Sequence, residues 1–512
     1  MSSQPSSPAP TVREAGDPST SVLAALRSPR RLKTEVLAGL VVALALIPEA
    51  ISFSIIAGVD PRVGLFASFT MAVTIAIVGG RPAMISAATG AIALVIAPLA
   101  RQYGVDYFVA AVLLAGVFQI LLSVLGVARL MRFIPRSVMV GFVNALAILI
   151  FASQLPHLLG VPALVYPFVA IGLLIMVFLP KLTTAIPAPL VAIVVLTAAA
   201  IVFHVQIPDV GDEGELPSSL PTLFVPDVPF TWETLSIIAP YALAMALVGL
   251  LESLMTAKLV DDITDTHSNK TREGWGQGVA NLVTGFFGGM GGCAMIGQTM
   301  INVKVSARTR ISTFLAGLFL LVLVVGLGDI VALIPMAALV AVMIMVSVGT
   351  MDWHSIAPKT LRRTPRSETL VMLATVVVTV ATHNLAYGVI VGSLTAMVLF
   401  ARRVAHLVTV EKIEETDDDH DGTADTVVYR VTGELFFASS NDLVYQFNYT
   451  DDPAHVVIDM SASHIWDAST VAALDAVTTK YHARGKRVDI VGLNSDSADR
   501  HDRLSGSLGA GH

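Results

Sequence analysis

VLAGLVVALALIPEAISFSIIAG, from Val36 to Gly58, decides how the rest of this chain is read. The run carries one charge, Glu49, and is long enough to cross a bilayer core of about 30 Å. An ionised side chain at that depth costs at least ~2.5 kcal/mol on insertion scales, so it rarely persists without a use. Two readings stand. Glu49 lies near the interface and extends its head outward, or it serves a site at depth. Pro48 beside it removes a rung of the helix ladder and argues for the second.

The composition agrees. Of 512 residues, 54% are hydrophobic and 14% charged, with a mean hydropathy of +0.73. Soluble domains carry roughly 25% charged residues, so the chain reads as one large membrane domain with a remainder. The net charge of −7 gives no reason to expect a nucleic-acid partner. A single cysteine, Cys293, excludes an intramolecular disulfide and is expected to be a small buried residue. Residues 1–31 open MSSQPSSPAP and lack the charged and apolar order of a signal peptide. They are expected to form a disordered, retained tail.

Apolar segments recur over residues 32–404, the transmembrane domain of this reading. Spans fall near 36–58, 63–79, 86–100, 107–127, 138–156, 165–180 and 187–204. A second set falls near 235–260, 276–290, 294–304, 311–327, 330–349, 368–382 and 384–401, making fourteen. With the N-terminus inside, fifteen Lys and Arg residues from Arg81 to Arg366 fall on inside connections, and only Arg62 and Arg101 fall outside. The positive-inside rule then puts both termini in the cytoplasm of a multi-pass protein of the cytoplasmic membrane.

The membrane part also looks doubled. GGRPAMISAATG (Gly79 to Gly90) and GGMGGCAMIGQT (Gly288 to Thr299) precede the third span of each half, and both contain Ala-Met-Ile. An odd number of spans per half makes the halves inverted. Short, glycine-interrupted segments at matching positions point to a transporter's binding site.

A helix that begins within the membrane presents free N–H groups and a partial positive end. Two such ends facing each other hold an anion without Arg or Lys. The first would start near Ala87, Ala88 and Thr89, the second near Met295, Ile296, Gly297 and Gln298. The alternative is that these glycines serve only close helix packing. Glu252 is a second carboxylate in an apolar run, with Thr256 four residues on and hence on the same face. That pair suits a Na⁺ or H⁺ site, and a protonated Glu49 would remove negative charge while an anion is bound. Phe53, four residues after Glu49, is either ordinary core or an apolar wall of the pocket. Scattered histidines give no metal site, no phosphate-binding loop points to ATP, and no catalytic constellation calls for a cofactor. A secondary transporter or a channel remains, rather than an enzyme.

After residue 404 the composition turns polar. Residues 405–425 read as an acidic loop, 426–500 as a cytosolic α/β domain and 501–512 as a disordered tail. HVVIDM (His455 to Met460), a helix over Ala468 to Ala483 and RVDIVGL form a βαβ unit.

Together these segments resemble the SulP family of inorganic anion transporters (sulfate permease-like) from Leu32 to Leu493. The residues that carry the resemblance are GLVVALALIPEAISFSIIAGVDPRVGLFAS (Gly39 to Ser68), ISAATG (Ile85 to Gly90), GQGVANLVTGFFGGM (Gly276 to Met290) and CAMIGQTMINVKVSARTRIS (Cys293 to Ser312). VVIDMSASHIWDASTVAALD (Val456 to Asp475) is similar to a STAS domain. The resemblance implies two inverted seven-span repeats in a uracil-permease-like arrangement of core and gate. It also implies elevator-like transport and a homodimer. It places an anion at Ala88, Thr89, Ile296, Gly297 and Gln298, matches Phe53 to a pocket aromatic, and matches Glu49 to a proton-coupling position. Glu252 and Thr256 match a Na⁺ site built from Asp and Thr in some bicarbonate members; Glu for Asp, and Ile296 for a Thr, favour H⁺ here. Ser469 falls where anti-sigma antagonists carry a phosphorylated Ser, and its other reading is a helix N-cap.

The reading is an H⁺-coupled transporter of a small anion: sulfate, bicarbonate or a dicarboxylate. Alternatives are a Na⁺-coupled bicarbonate symporter, an anion exchanger or channel, a nucleobase permease of the same fold, or a membrane-tethered signalling protein.

Overall fold

A computed structural model describes residues 20–126, 134–182, 188–405, 408–416 and 425–506. Arg129 and Arg132, part of the inside-charge pattern, lie outside the described residues, as do most of the N-terminal tail and the last six residues. The chain falls into two compact units that part between Ser393 and Leu394.

Within the expected tail, α1 (Val22–Leu26) is already helical. The first half of the membrane unit then runs α2 (Pro29–Ala57), α3 (Pro61–Val78), β1 (Ser86–Ala87), α4 (Gly90–Tyr103), α5 (Val105–Val124), α6 (Arg136–Ala152), α7 (Val165–Leu182) and α8 (Ala188–Val202). The second runs α9 (Trp232–Thr264), α10 (Lys270–Phe286), β2 (Cys293–Ala294), α11 (Ile296–Lys304), α12 (Arg310–Gly326), α13 (Gly328–Ala332), α14 (Met336–Thr350), the short α15 (Trp353–Ile356) and α16 (Pro358–Arg363), α17 (Arg366–Thr382) and α18 (Leu385–Ala405). Each half opens on a long helix and reaches a two-residue strand before its shortened one. Among the described residues, seven apolar stretches are long enough to cross a membrane: those of α2, α3, α5, α6, α7, α9 and α18. Shorter apolar helices are α8, α12 and α14.

Three expectations shift. Residues 86–87 and 294, expected inside helical spans, are extended, as is Cys293 before the second; they pair antiparallel, Ser86 opposite Ala294 and Ala87 opposite Cys293. The span near 330–349 is two helices, because Pro335 cannot continue α13 and instead caps α14. Conversely, α2 continues through Pro48, although proline forfeits one ladder bond.

The helices form two bundles. One packs α2, α3, α5, α9, α10 and α12, with α4 and α11 inserted; the other packs α6, α7, α8, α14 and α17. Glu35 on α2 ties the first together. Its buried carboxylate accepts N–H bonds from Arg308 (2.9 Å), Thr309 (3.1 Å) and Ser312 (3.2 Å) at the start of α12. A negative charge there complements the helix dipole and satisfies otherwise orphaned donors.

Residues that the charge pattern assigned to one face also meet each other. Arg62 pairs with Glu215 of the loop after α8. Arg81, almost fully buried, bonds Asp261 at 2.9 Å, and Lys270 reaches the same carboxylate at 2.6 Å.

The second unit holds a four-stranded sheet, ordered β3 (Thr409–Thr416), β4 (Thr426–Leu435), β5 (His455–Ile465) and β6 (Arg487–Val491). β3 occupies part of the expected acidic loop. It runs antiparallel to β4 at the sheet edge, where charged side chains are tolerated. The β4–β5 and β5–β6 pairs are parallel. The helices are α19 (Phe437–Leu443), α20 (Ala468–His482) and α21 (Ser495–Leu504). Val471, Leu474, Val477 and Tyr481 of α20 are buried as their spacing predicts. The tail expected from residue 501 instead continues α21 to Leu504.

Replacing Glu35 with Ala strands three backbone donors at once. The expected loss is about 1–3 kcal/mol, read as a lower unfolding temperature in detergent, with Glu35→Gln recovering part of it.

Candidate functional site

A cavity of about 380 Å³ opens at the seam of the two bundles. The first bundle contributes Glu49 and Phe53 of α2, Thr89, Gly90 and Ala91 at the start of α4, Glu252 of α9, and Met295, Ile296, Gly297 and Gln298 at the start of α11. The second contributes Phe142, Val143, Leu146 and Ile150 of α6 and Val346, Gly349 and Thr350 of α14. No Lys or Arg is among these lining residues.

The β1–β2 pair explains why two helices start here. It is buried, and its neighbours are satisfied by side chains. Asn281 clamps Gly292 through both its amide atoms (2.8 and 3.0 Å) and bonds Gln119 at 2.8 Å. Ser253 accepts from Ala294 N–H at 3.1 Å, and Thr299 from Ile85 N–H at 3.0 Å. Gly292 is required by close approach, because a Cβ there would lie 2.0 Å from the Ala87 carbonyl oxygen. With the crossing fixed, α4 begins at Gly90, slightly later than the sequence implied, and α11 begins at Ile296. Thr89 caps α4 by accepting from Ile92 N–H. Met295 offers α11 no side-chain cap. First-turn amides have no intrahelical acceptor, so both helix starts present free donors and positive dipole ends at one cavity.

Two carboxylates face these donors. Glu49 is half-buried on the cavity wall, within reach of the Gln298 amide. Glu252 is buried and accepts from Cys293 Sγ at 2.9 Å. Cys293 in turn lies 3.1 Å from Thr89 Oγ1.

Eight of the ten residues read from the sequence as anion or coupling positions line this cavity: Phe53, Thr89, Met295, Ile296, Gly297, Gln298, Glu49 and Glu252. Ala88 and Thr256 do not. Ala88 is fully buried behind the tip, and its N–H reaches Ser68 Oγ at 3.3 Å. Thr256 is fully buried, and its hydroxyl donates to the Glu252 backbone carbonyl at 2.8 Å. Ser469 is exposed in the first turn of α20, and the N-cap is Asp467, which accepts from Thr470 N–H at 3.1 Å. Sequence reasoning missed the apolar wall of α6 and α14, whose residues look like any helix face. Cys293 is buried as expected, and its bond to Glu252 was not foreseen.

The chain matches the sulfate permease family over residues 32–171 and 161–375, and the STAS domain over 417–505. It is 52% identical over 466 residues to YbaR of Bacillus subtilis (strain 168), whose name carries a provisional sulfate-transporter assignment; the match covers 91% of this chain and 95% of that one. The transmembrane domain of a cyanobacterial bicarbonate transporter, BicA, matches with a TM-score of 0.63 at 26% identity, covering 70% of this chain and 98% of its own. The murine anion transporter Slc26a9, solved in its inward-facing state, shares the fold with a TM-score of 0.77 at 17% identity, over 94% of this chain and 88% of that one.

The two cavity glycines differ sharply. A Cβ on Gly90 would meet the Phe53 ring at 2.8 Å, whereas one on Gly297 meets nothing within 4 Å. Gly90→Ala is expected to cost about 1–3 kcal/mol through overpacking, relieved when combined with Phe53→Leu. Gly297→Ala should stay within about 0.5 kcal/mol of the parent. Thermal unfolding of the three variants beside the parent checks both. A multi-pass membrane protein with a C-terminal STAS domain, this chain belongs to the sulfate permease family.

Proposed function

We propose that this chain is a secondary transporter that carries sulfate, bicarbonate or a dicarboxylate across the cytoplasmic membrane together with H⁺. Membership of a permease family makes it an anion transporter rather than an enzyme. The observation that carries the finer reading is the convergence of two helix starts, that of α11 without a side-chain cap, on a cavity that also holds Glu49 and Glu252. The free amides supply the anion's hydrogen bonds. The carboxylates oppose an anion while charged and admit it once protonated. A carboxylate at membrane depth is costly unless used, which favours a proton-linked role. Thr256 lies outside the cavity lining, so the carboxylates are the groups within the cavity that could carry the coupling ion.

The cavity lies on the seam between the bundles. Sliding of the α2–α5 and α9–α12 bundle past the α6–α8, α14 and α17 bundle, an elevator movement, would carry the site from one face to the other. A homodimer with both termini in the cytoplasm completes this reading. The tail then acts as a regulatory domain, with exposed Ser469 as the hydroxyl open to phosphorylation.

The test is uptake into proteoliposomes with an imposed pH gradient, using labelled sulfate, bicarbonate and dicarboxylates in competition. One of these anions is expected to accumulate with inward proton flow. Glu49→Gln should reduce gradient-driven uptake at least about tenfold, roughly 1.4 kcal/mol of coupling. Uptake that ignores the gradient in the parent protein overturns proton coupling. Uptake of none of the three overturns the substrate class.

A further inference from the structure

Three side chains connect the depth of the cavity to the cap of α4. Glu252 Oε2 accepts from Cys293 Sγ at 2.9 Å, and Sγ lies 3.1 Å from Thr89 Oγ1. Thr89 Oγ1 also accepts from Ile92 N–H at 3.4 Å. Glu252 and Thr89 line the cavity, while Cys293 is fully buried between them on β2.

Counting hydrogens gives this row a direction. An ionised carboxylate only accepts. With Glu252 charged, the thiol hydrogen therefore points to Oε2. Sγ is left as an acceptor and takes the Thr89 hydroxyl hydrogen, which turns away from the cavity. With a proton on Glu252, its O–H donates to Sγ and the thiol hydrogen turns to Thr89 Oγ1. That oxygen has two lone pairs, so it keeps the Ile92 amide as well. The Thr89 hydrogen is then free to point into the cavity.

We propose that Thr89, Cys293 and Glu252 form a reversible hydrogen-bond relay in which protonation of Glu252 gives the anion cavity one additional donor, the Thr89 hydroxyl. The inference rests on the proton-coupled reading above and names its device. The proton enters from cavity water and ends on Glu252. The thiol and hydroxyl hydrogens rotate, and neither S–H nor O–H bond breaks. Because linkage is reciprocal, an anion held by Thr89 also favours the protonated carboxyl. Cys293 is thus a positioning residue that acts through its two neighbours.

Titratable groups on the elements packed against α9 have other partners or face solvent. Glu49 of α2 shares the cavity but faces Gln298. On α10, Glu273 accepts from Gly80 and Arg81 N–H and from Gln277, Lys270 pairs with Asp261, and Arg272 bonds the Val78 carbonyl. Arg101 of α4 bonds the Ile56 carbonyl, and Asp106 of α5 accepts from Asp227 N–H. Tyr103 and Tyr107 pack on each other, and Lys304 is exposed at the end of α11. On α9 itself, Lys258 pairs with Asp262.

Cys293 is the chain's single cysteine, so the S–H stretching band of the whole protein reports this thiol alone. Infrared difference spectra of the full chain in lipid are expected to show that band shifting on acidification, as the acceptor changes from carboxylate to hydroxyl. Glu252→Gln should abolish the shift. In proteoliposomes Cys293→Ser should retain proton-stimulated uptake and Cys293→Ala should lose it, with folding checked by gel filtration. An S–H band that stays fixed on acidification overturns the relay, as does a Cys293→Ala protein stimulated as strongly as the parent. The infrared arm still decides if Cys293→Ala does not fold. A band that shifts while parent uptake ignores the gradient overturns the coupling reading and leaves the relay as a pH-sensitive donor.

Discussion

The crossing of β1 and β2 is the constraint on which the rest of the membrane unit depends. Non-helical backbone at membrane depth is tolerated only where protein or a water-filled cavity surrounds it. Here the two short strands satisfy part of each other, and Asn281, Ser253, Thr299 and Ser68 satisfy neighbouring amides. The donors left open are those at the helix starts beyond the strands. Their openness is therefore an outcome of how completely the adjacent backbone is paired. Without the crossing, α4 and α11 would have no reason to begin at a shared point.

The cavity walls divide the work. Polar and backbone groups come from the bundle that holds the crossing, and the α6 and α14 wall is apolar apart from Thr350. An apolar face can slide against its partner without leaving hydrogen bonds unmet. A polar seam would resist that sliding, because each broken bond strands a desolvated group. The division of residue types between the bundles is what the proposed sliding would require.

Much of this was legible in the sequence, for identifiable reasons. Glu49 and Glu252 stood out because charge is expensive in an apolar run, and Phe53 followed from helical spacing. The interrupted segments were marked by glycine clusters. The strand crossing was not legible, since ISA and CAM are two short triplets with no period of their own; their pairing is a long-range fact. Spacing puts Thr256 on the Glu252 face but does not say whether it reaches the cavity, and it does not line it. In the second unit, α20 was plain from its buried stripe. β3 was hidden, because its charges look like solvated loop until β4 is placed beside it.

If peptide groups at the two helix starts hold the anion as proposed, an evolutionary corollary follows. Such donors belong to every residue type except proline, so ordinary missense change cannot delete them. Substitutions around the mouth can alter width, wetness and charge while the holding atoms persist. Descendants of one ancestor could then drift among differently shaped oxyanions by exchanging Phe53, Phe142 or Val346 alone, with the scaffold beneath left untouched.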